Sequence, residues 1–227
     1  MPAPLSVIIP AFNAARELPL CLDSLMPGLA ASLIREVILV DGGSSDESTR
    51  MADAAGCTVI ASDRGRAKQQ IAGAEAARGD WLLFLHADTA LSPDWVERAG
   101  HHIEQRPGKA ACFTLAYRSD ASEAKWLAGR ANRRTRWLGL PYGDQGLLIS
   151  RALYEQVGGY PDVPLMEDVA IIRAIGKRRI TLLSAEARTS AEKYERDGWR
   201  KRAYGNAWLI TRYLLGADPE DLAKRYS

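Results

Sequence analysis

Gly79–Pro93 reads GDWLLFLHADTALSP, and the fold turns on how its first half is understood. Trp81, Leu82, Leu83, Phe84 and Leu85 form an unbroken apolar run of strand length, the pattern of a strand covered on both faces of a parallel sheet. The run stops at His86-Ala87-Asp88, which puts a carboxylate at the C-terminal end of a buried strand, where open α/β sheets bind ligands. Asp88 followed by Thr89 suits equally well a simple turn before a helix started by Ser92-Pro93. The rest of the chain has to decide between the two.

Upstream, three more apolar runs alternate with helical patterns. Leu5–Pro10 (LSVIIP) is followed by a loop at Ala11-Phe12-Asn13 and by a helix with Pro19 in its first turn and Leu18, Leu22 and Leu25 on one face. Val37–Val40 (VILV) stops at Asp41-Gly42-Gly43-Ser44-Ser45-Asp46, where the glycines permit a tight turn and a serine can cap the next helix. Thr58–Ala61 is a third strand, and Arg66–Ala77 a helix leading into the central one. The order β-α-β-α-β-α-β with short links predicts a parallel sheet with helices on both faces.

Downstream the pattern loosens. Helices are expected at Asp94–Gln105, Glu123–Trp137, Met166–Ile175 and Trp199–Leu215, and strands at Ala110–Tyr117, Leu147–Ser150 and Ile180–Ala185. At 227 residues, 47% hydrophobic and 26% charged, the chain can bury a full core and reads as one domain with an appended helical tail. Net charge is +2 but unevenly spread: residues 1–110 hold 10 Lys/Arg and 14 Asp/Glu, residues 111–227 hold 20 and 14. An anionic partner would therefore meet the second half. Cys21, Cys57 and Cys112 have no metal-type spacing and read as free, buried thiols of a reducing compartment. The opening MPAPLSVIIPAFN has no basic leader region, and no run reaches the ~18 apolar residues of a membrane span.

Asp41 and Asp88 fall at the same end of the sheet if its strands are parallel. Two acids beside a glycine-rich turn suit a nucleotide with a metal, one accepting hydrogen bonds from base or ribose and the other holding Mg²⁺ or Mn²⁺ against a diphosphate. Arg66 and Lys68 follow Gly65 at a helix start, where basic side chains are unfavourable unless an anion sits there. Glu167-Asp168 follows the turn-rich Gly158-Gly159-Tyr160-Pro161. An acid at that helix start is either a general base or a favourable first-turn charge. The glycine signatures of dinucleotide-binding and P-loop proteins are absent. His101-His102, in a helical stretch without partner ligands, reads as a surface or capping pair.

Taken together and in order, VIIPAFN, VILVDGGSSDEST, GRAKQQIAGAEAARGDWLLFLHADT and GGYPDVPLMEDVAIIRA resemble the family 2 glycosyltransferases of GT-A fold, in a compact bacterial branch carrying LHADT. The resemblance covers about Leu5 to Ala174. It implies an α/β fold with a mostly parallel central sheet flanked by helices, a nucleotide-binding half at about 1–110, an acceptor half at about 111–190 and a helical tail at about 191–227. It also implies inverting, non-processive transfer of a sugar from a nucleoside-diphosphate sugar to an acceptor hydroxyl. The free thiols suggest the cytoplasm, and the basic tail with the Arg-rich Glu123–Trp137 segment suggests an anionic or lipid-linked acceptor met at the inner face of the membrane.

By the same resemblance Pro10, Ala11, Asn13, Asp41, Arg66, Ala87 and Asp88 belong to the nucleotide site, to which the helix start adds Lys68, and Asp88 with His86 stands at the metal-binding position. The resemblance makes Asp168 the acid that takes the acceptor's proton, and acceptor contacts are expected from the second half: Asp144, Gln145, Glu167 and the basic, tryptophan-bearing Glu123–Trp137 segment. Two departures stand out: His86 replaces the first acid of the family's DxD motif, and no QxxRW follows Gly143-Asp144-Gln145-Gly146, which argues against processive synthesis. The alternatives are a sugar-phosphate nucleotidyltransferase and a nucleotide-sugar binding protein without activity. The first is disfavoured because Pro10-Ala11-Phe12-Asn13 stands where a glycine-rich basic loop belongs.

Overall fold

The computed structural model describes residues 3–226; the N-terminal reading of Met1 and Pro2 and the domain boundaries at residues 1 and 227 lie outside it. The first half folds as expected. β1 (Leu5–Ala11), β2 (Ile34–Asp41), β3 (Thr58–Ala61) and β4 (Trp81–Phe84) run parallel in the order β3-β2-β1-β4. Past Phe84 the central run continues as a single hydrogen bond, Leu85 N–H to Ile8 C=O at 3.0 Å.

Alternation along these strands sorts their side chains into two cores. Val7, Leu39 and Leu83 pack on one face with Leu18, Cys21 and Leu25 of α1 (Leu18–Ala30) and Trp95 of α4 (Trp95–Gln105). Ile8, Ile38 and Phe84 pack on the other, with Ala74 of α3 (Arg66–Ala76) and Ile171 and Ile172 of α7 (Glu167–Ile175). Both faces of the sheet are thus covered. α2 (Ser48–Ala54) links β2 to β3.

The second half extends the sheet but reverses its sense twice. β7 (Leu147–Ser150) pairs antiparallel with β4, β6 (Ala110–Tyr117) antiparallel with β7, and β8 (Ile180–Thr189) parallel with β6. β5 (Thr89–Leu91), expected as loop, is a strand antiparallel to the end of β8. β8 runs on past Ala185 because Ala185, Ala187 and Thr189 turn inward while Arg188 faces water. That one-sided alternation makes a half-buried strand that a search for continuous apolar runs overlooks.

α5 (Ser122–Leu138) and α9 (Trp199–Leu214) match the expected helices, while α6 (Arg151–Gln156), α8 (Glu192–Asp197) and α10 (Pro219–Tyr226) are additional. The tail docks through Leu209, buried with Met166, Val169 and Leu222, but Trp208 and Leu214 stay nearly half exposed. His102 is not a surface residue: it is buried, its Nε2–H donates to the Lys109 carbonyl at 2.9 Å, and its ring meets Trp81 edge-on. All three cysteines are free and buried. Among the described residues no helix is long and apolar enough to cross a membrane.

Candidate active site

The β4 end is held from the far side of the sheet. Asp88 C=O accepts hydrogen bonds from Ser190 N–H and Arg118 Nη2, both at 3.1 Å, and its Oδ1 accepts from the Thr89 and Thr189 hydroxyls, both at 3.3 Å. Arg118 is itself ion-paired with Glu17. None of Glu17, Arg118, Thr189 or Ser190 was marked by the sequence. The signal for Thr189 lay in the alternation that extends β8.

Asp168 is the second residue of α7 and is oriented by backbone amides. Its Oδ2 accepts from Gly143 N–H at 2.9 Å and its Oδ1 from Val169 N–H at 2.8 Å. The helix start is sharply turned, with Met166 at φ 69°, a left-handed conformation costing a non-glycine residue about 1–3 kcal/mol. Gly143 cannot be larger, because a Cβ there would lie 2.8 Å from His86 Nε2.

Asp88 and Asp168 line one hollow of about 200 Å³, together with Arg66, His86, Asp144 and Glu167. Asp41 is not part of that lining. It sits two strands away from β4, roughly 10 Å at the usual strand spacing, with its carboxylate accepting from the Gly43 and Ser44 amides at 3.1 Å. Asp41, expected beside Asp88 at the same end of the sheet, thus lies outside the hollow that Asp88 and Asp168 share. Asp41 is tied up by its own Gly-Gly-Ser turn.

The loops after β1 and β2 are locked together. Asn13 Oδ1 accepts from Ser45 N–H at 2.8 Å, and Asn13 N–H donates to Ser44 Oγ at 2.9 Å. Gln69, which the sequence did not mark, ties the strand ends by donating to Ala11 C=O at 2.7 Å and Val40 C=O at 2.8 Å. Pro10 is half-buried beside this joint, while Ala11 and Ala87 are buried and present backbone only. Arg64, also unmarked, lies 4.0 Å over the Phe12 ring at the rim.

Three expectations need revision. Lys68 pairs with Asp63 at 3.0 Å on an exposed surface and does not line the hollow. Gln145 is fully buried, donating to Phe113 C=O at 3.0 Å and accepting from the Thr135 hydroxyl at 2.8 Å. Both ends of its amide are spent on the core, so it is unavailable to an acceptor. Glu167 is buried and paired with Arg66 Nε at 3.3 Å. Burial raises its pKa and Arg66 counters it, and a side chain only 3% exposed offers an acceptor little surface.

Asp144 carries the most perturbed carboxyl of the hollow. Burial pushes its pKa up to about 6, Asp168 and Asp88 add to the rise, and Arg134 opposes it; Oδ1 has no hydrogen-bond partner among the described residues. His86 is shifted the other way, lowered to about 4 by burial and Arg66 against the pull of Asp88 and Asp168. It is neutral at physiological pH.

A divalent ion fits here only with outside help. Among the described residues no group of three His, Cys, Asp or Glu side chains could hold one. Asp88 is half-buried on the hollow's wall and can offer one carboxylate. The His86 Nε2 is buried without a partner and packs toward Gly143, so it ligates only if that turn opens. Hard Mg²⁺ or Mn²⁺ bound through one carboxylate plus phosphate oxygens and water is an ordinary arrangement for such ions.

Residues 6–160 match the family model described as glycosyl transferase family 2. A PGL/p-HBAD biosynthesis glycosyltransferase of Mycobacterium tuberculosis is 40% identical over 99 residues, 40% of this chain and 38% of the relative. An undecaprenyl-phosphate 4-deoxy-4-formamido-L-arabinose transferase of Pseudomonas paraeruginosa is 36% identical over 131 residues, 53% of this chain and 37% of the relative. The chain spans less than half the length of the curated relatives it matches.

A crystal structure of glucosyl-3-phosphoglycerate synthase from Mycobacterium tuberculosis, in complex with Mn²⁺, UDP and glucosyl-3-phosphoglycerate, superposes with a TM-score of 0.60 at 21% identity. The match covers 81% of this chain and 70% of that one. The likeness establishes the fold, a GT-A-type mixed α/β sheet with helices on both faces. With the family model matching well over half its length, the chain belongs to glycosyl transferase family 2.

Proposed function

We propose that this protein is an inverting, non-processive glycosyltransferase that moves one sugar from a nucleoside-diphosphate sugar to an acceptor hydroxyl. The observation that carries the reading is that Asp88, at the end of β4, and Asp168, at the start of α7, line one hollow together with Arg66. The Asn13–Ser45 joint and Asp41 lie to one side, at a separation a nucleoside diphosphate spans, so base and ribose would rest there with the diphosphate reaching Asp88. Arg66, guided by Glu167, faces the diphosphate charge.

When bound at Asp88, Mg²⁺ or Mn²⁺ would offset the negative charge of the leaving diphosphate. Asp168, whose oxygens keep lone pairs beyond the Gly143 and Val169 amides, accepts the proton of the incoming hydroxyl as it attacks the anomeric carbon. Support for a nucleotide with Mn²⁺ comes from the complex of glucosyl-3-phosphoglycerate synthase with Mn²⁺ and UDP. Support for a lipid-linked or anionic acceptor, and for peripheral contact at the inner face of the membrane from the cytoplasm, comes from the undecaprenyl-phosphate transferase relative and from the positive second half. The missing QxxRW motif supports a single transfer.

Asp168→Asn is the test. Turnover, followed as nucleoside diphosphate rather than pyrophosphate released, should fall by roughly 10²-fold or more, with nucleotide affinity unchanged. Undiminished transfer by Asp168→Asn would remove Asp168 from the role of base.

A further inference from the structure

Beside the hollow lies a groove five times larger, about 1060 Å³, walled by α5 on one side and α9 on the other. The two spaces adjoin: Tyr117, Tyr142, Asp144, Tyr194, Asn206 and Ile210 line both. We infer that this groove is the acceptor's seat and that the acceptor is an anionic amphiphile, an apolar body joined to a phosphate or carboxylate, whose receiving hydroxyl reaches past Asp144 to Asp168. The inference rests on the transferase reading above.

Part of its lining is an aromatic cluster. Trp199 stacks on Tyr194 with ring centroids 5.1 Å apart and meets Tyr117 edge-on at 5.3 Å. Trp126 of α5 and Tyr204 of α9 also line it, 55% and 75% exposed. Large aromatic faces left in water at the edge of a groove gain most from an apolar ligand; a small polar sugar would leave them wetted.

The charge on the α5 wall is positive. Arg130 sits 4.8 Å over the Trp126 ring, and Arg134 lies 3.4 Å over Tyr142 with its Nε–H donating to Leu140 C=O. The Arg134 Nη2 is buried with no hydrogen-bond partner among the described residues. A buried guanidinium donor without an acceptor, in the lining of this groove, fits the head group of such a ligand.

Binding by the full chain in the presence of UDP tests this. The probes are dodecyl phosphate below its micelle concentration, inorganic phosphate and dodecyl maltoside. Dodecyl phosphate should bind at least about tenfold more tightly than either other probe, and Trp126→Ala and Arg130→Ala should each weaken it roughly tenfold. Both residues are exposed on α5, so neither change disturbs the core, and UDP affinity should be unchanged in both. Equal binding of dodecyl maltoside, binding of inorganic phosphate alone, no binding of dodecyl phosphate, or binding that both variants retain would each overturn the proposal. Failure of both UDP and GDP to bind the unaltered protein would instead strike the transferase reading.

Discussion

Asp144 and His86 pull on the protein's proton balance in opposite directions. Asp144 has its pKa raised from 3.8 to about 6, so between about pH 4 and 6 the folded form holds a proton the unfolded chain has released, and stability falls as pH rises through that window. His86 has its pKa lowered from 6.5 to about 4. Over nearly the same window the unfolded chain binds the extra proton, and stability rises with pH. The two slopes largely cancel.

Asp144→Asn removes one of them. The variant's free energy of unfolding in urea should climb more steeply from pH 4 to 6 than that of the unaltered protein, ending higher at pH 7 by roughly 1–3 kcal/mol. Parallel curves for the two proteins would show that the Asp144 carboxyl does not ionise under strain. Asp88 and Asp168 were legible in the sequence because each follows a recognisable break, a buried strand's end and a turn-rich helix start. Gln145 and Glu167 were misread, because nothing local reveals that Phe113 C=O, Thr135 and Arg66, distant in sequence, already occupy them.

At the scale of elements, the apolar runs of the first half were read directly because each parallel strand is covered on both faces. α3 lies against β1 and β2 through Gly73, where a Cβ would stand 2.4 Å from Ile8 Cγ2 and 3.0 Å from Val40 Cγ2. Gly73→Ala gains up to ~1 kcal/mol of helix propensity but forces the helix off the sheet, an overpacking cost of about 1–3 kcal/mol, so the variant should be less stable.

Gly100, inside α4, has nothing within 4 Å of the same added atom, and Gly100→Ala should stabilise by up to ~1 kcal/mol. Thermal or urea unfolding of the pair should give opposite signs, and stabilisation by both would mean that α3 does not press on the strands. β5 and the end of β8 were hidden from sequence reasoning. A three-residue strand and a one-sided alternating strand lack the signal of a buried run, yet their pairing sets Thr189 and Ser190 against Asp88.

The whole molecule divides its labour along the sheet. Its parallel, net-acidic first half carries the joined β1 and β2 loops and Asp88, while its basic second half carries Asp168, Asp144 and the aromatic groove. Charge asymmetry between halves anticipated that division, but the meeting of the two at one hollow depends on β7 reversing beside β4 and bringing the Gly143–Gln145 turn against His86 and Asp168.

The most direct test is calorimetric titration of UDP and GDP, each with and without Mn²⁺, into the unaltered protein and into Asp88→Asn. One nucleotide should bind at least about tenfold more tightly with Mn²⁺, a gain of ~1.4 kcal/mol, and that gain should vanish in Asp88→Asn. Nucleotide binding indifferent to both Mn²⁺ and Asp88, or no binding of either nucleotide, would contradict the reading of the β4 end as the diphosphate site.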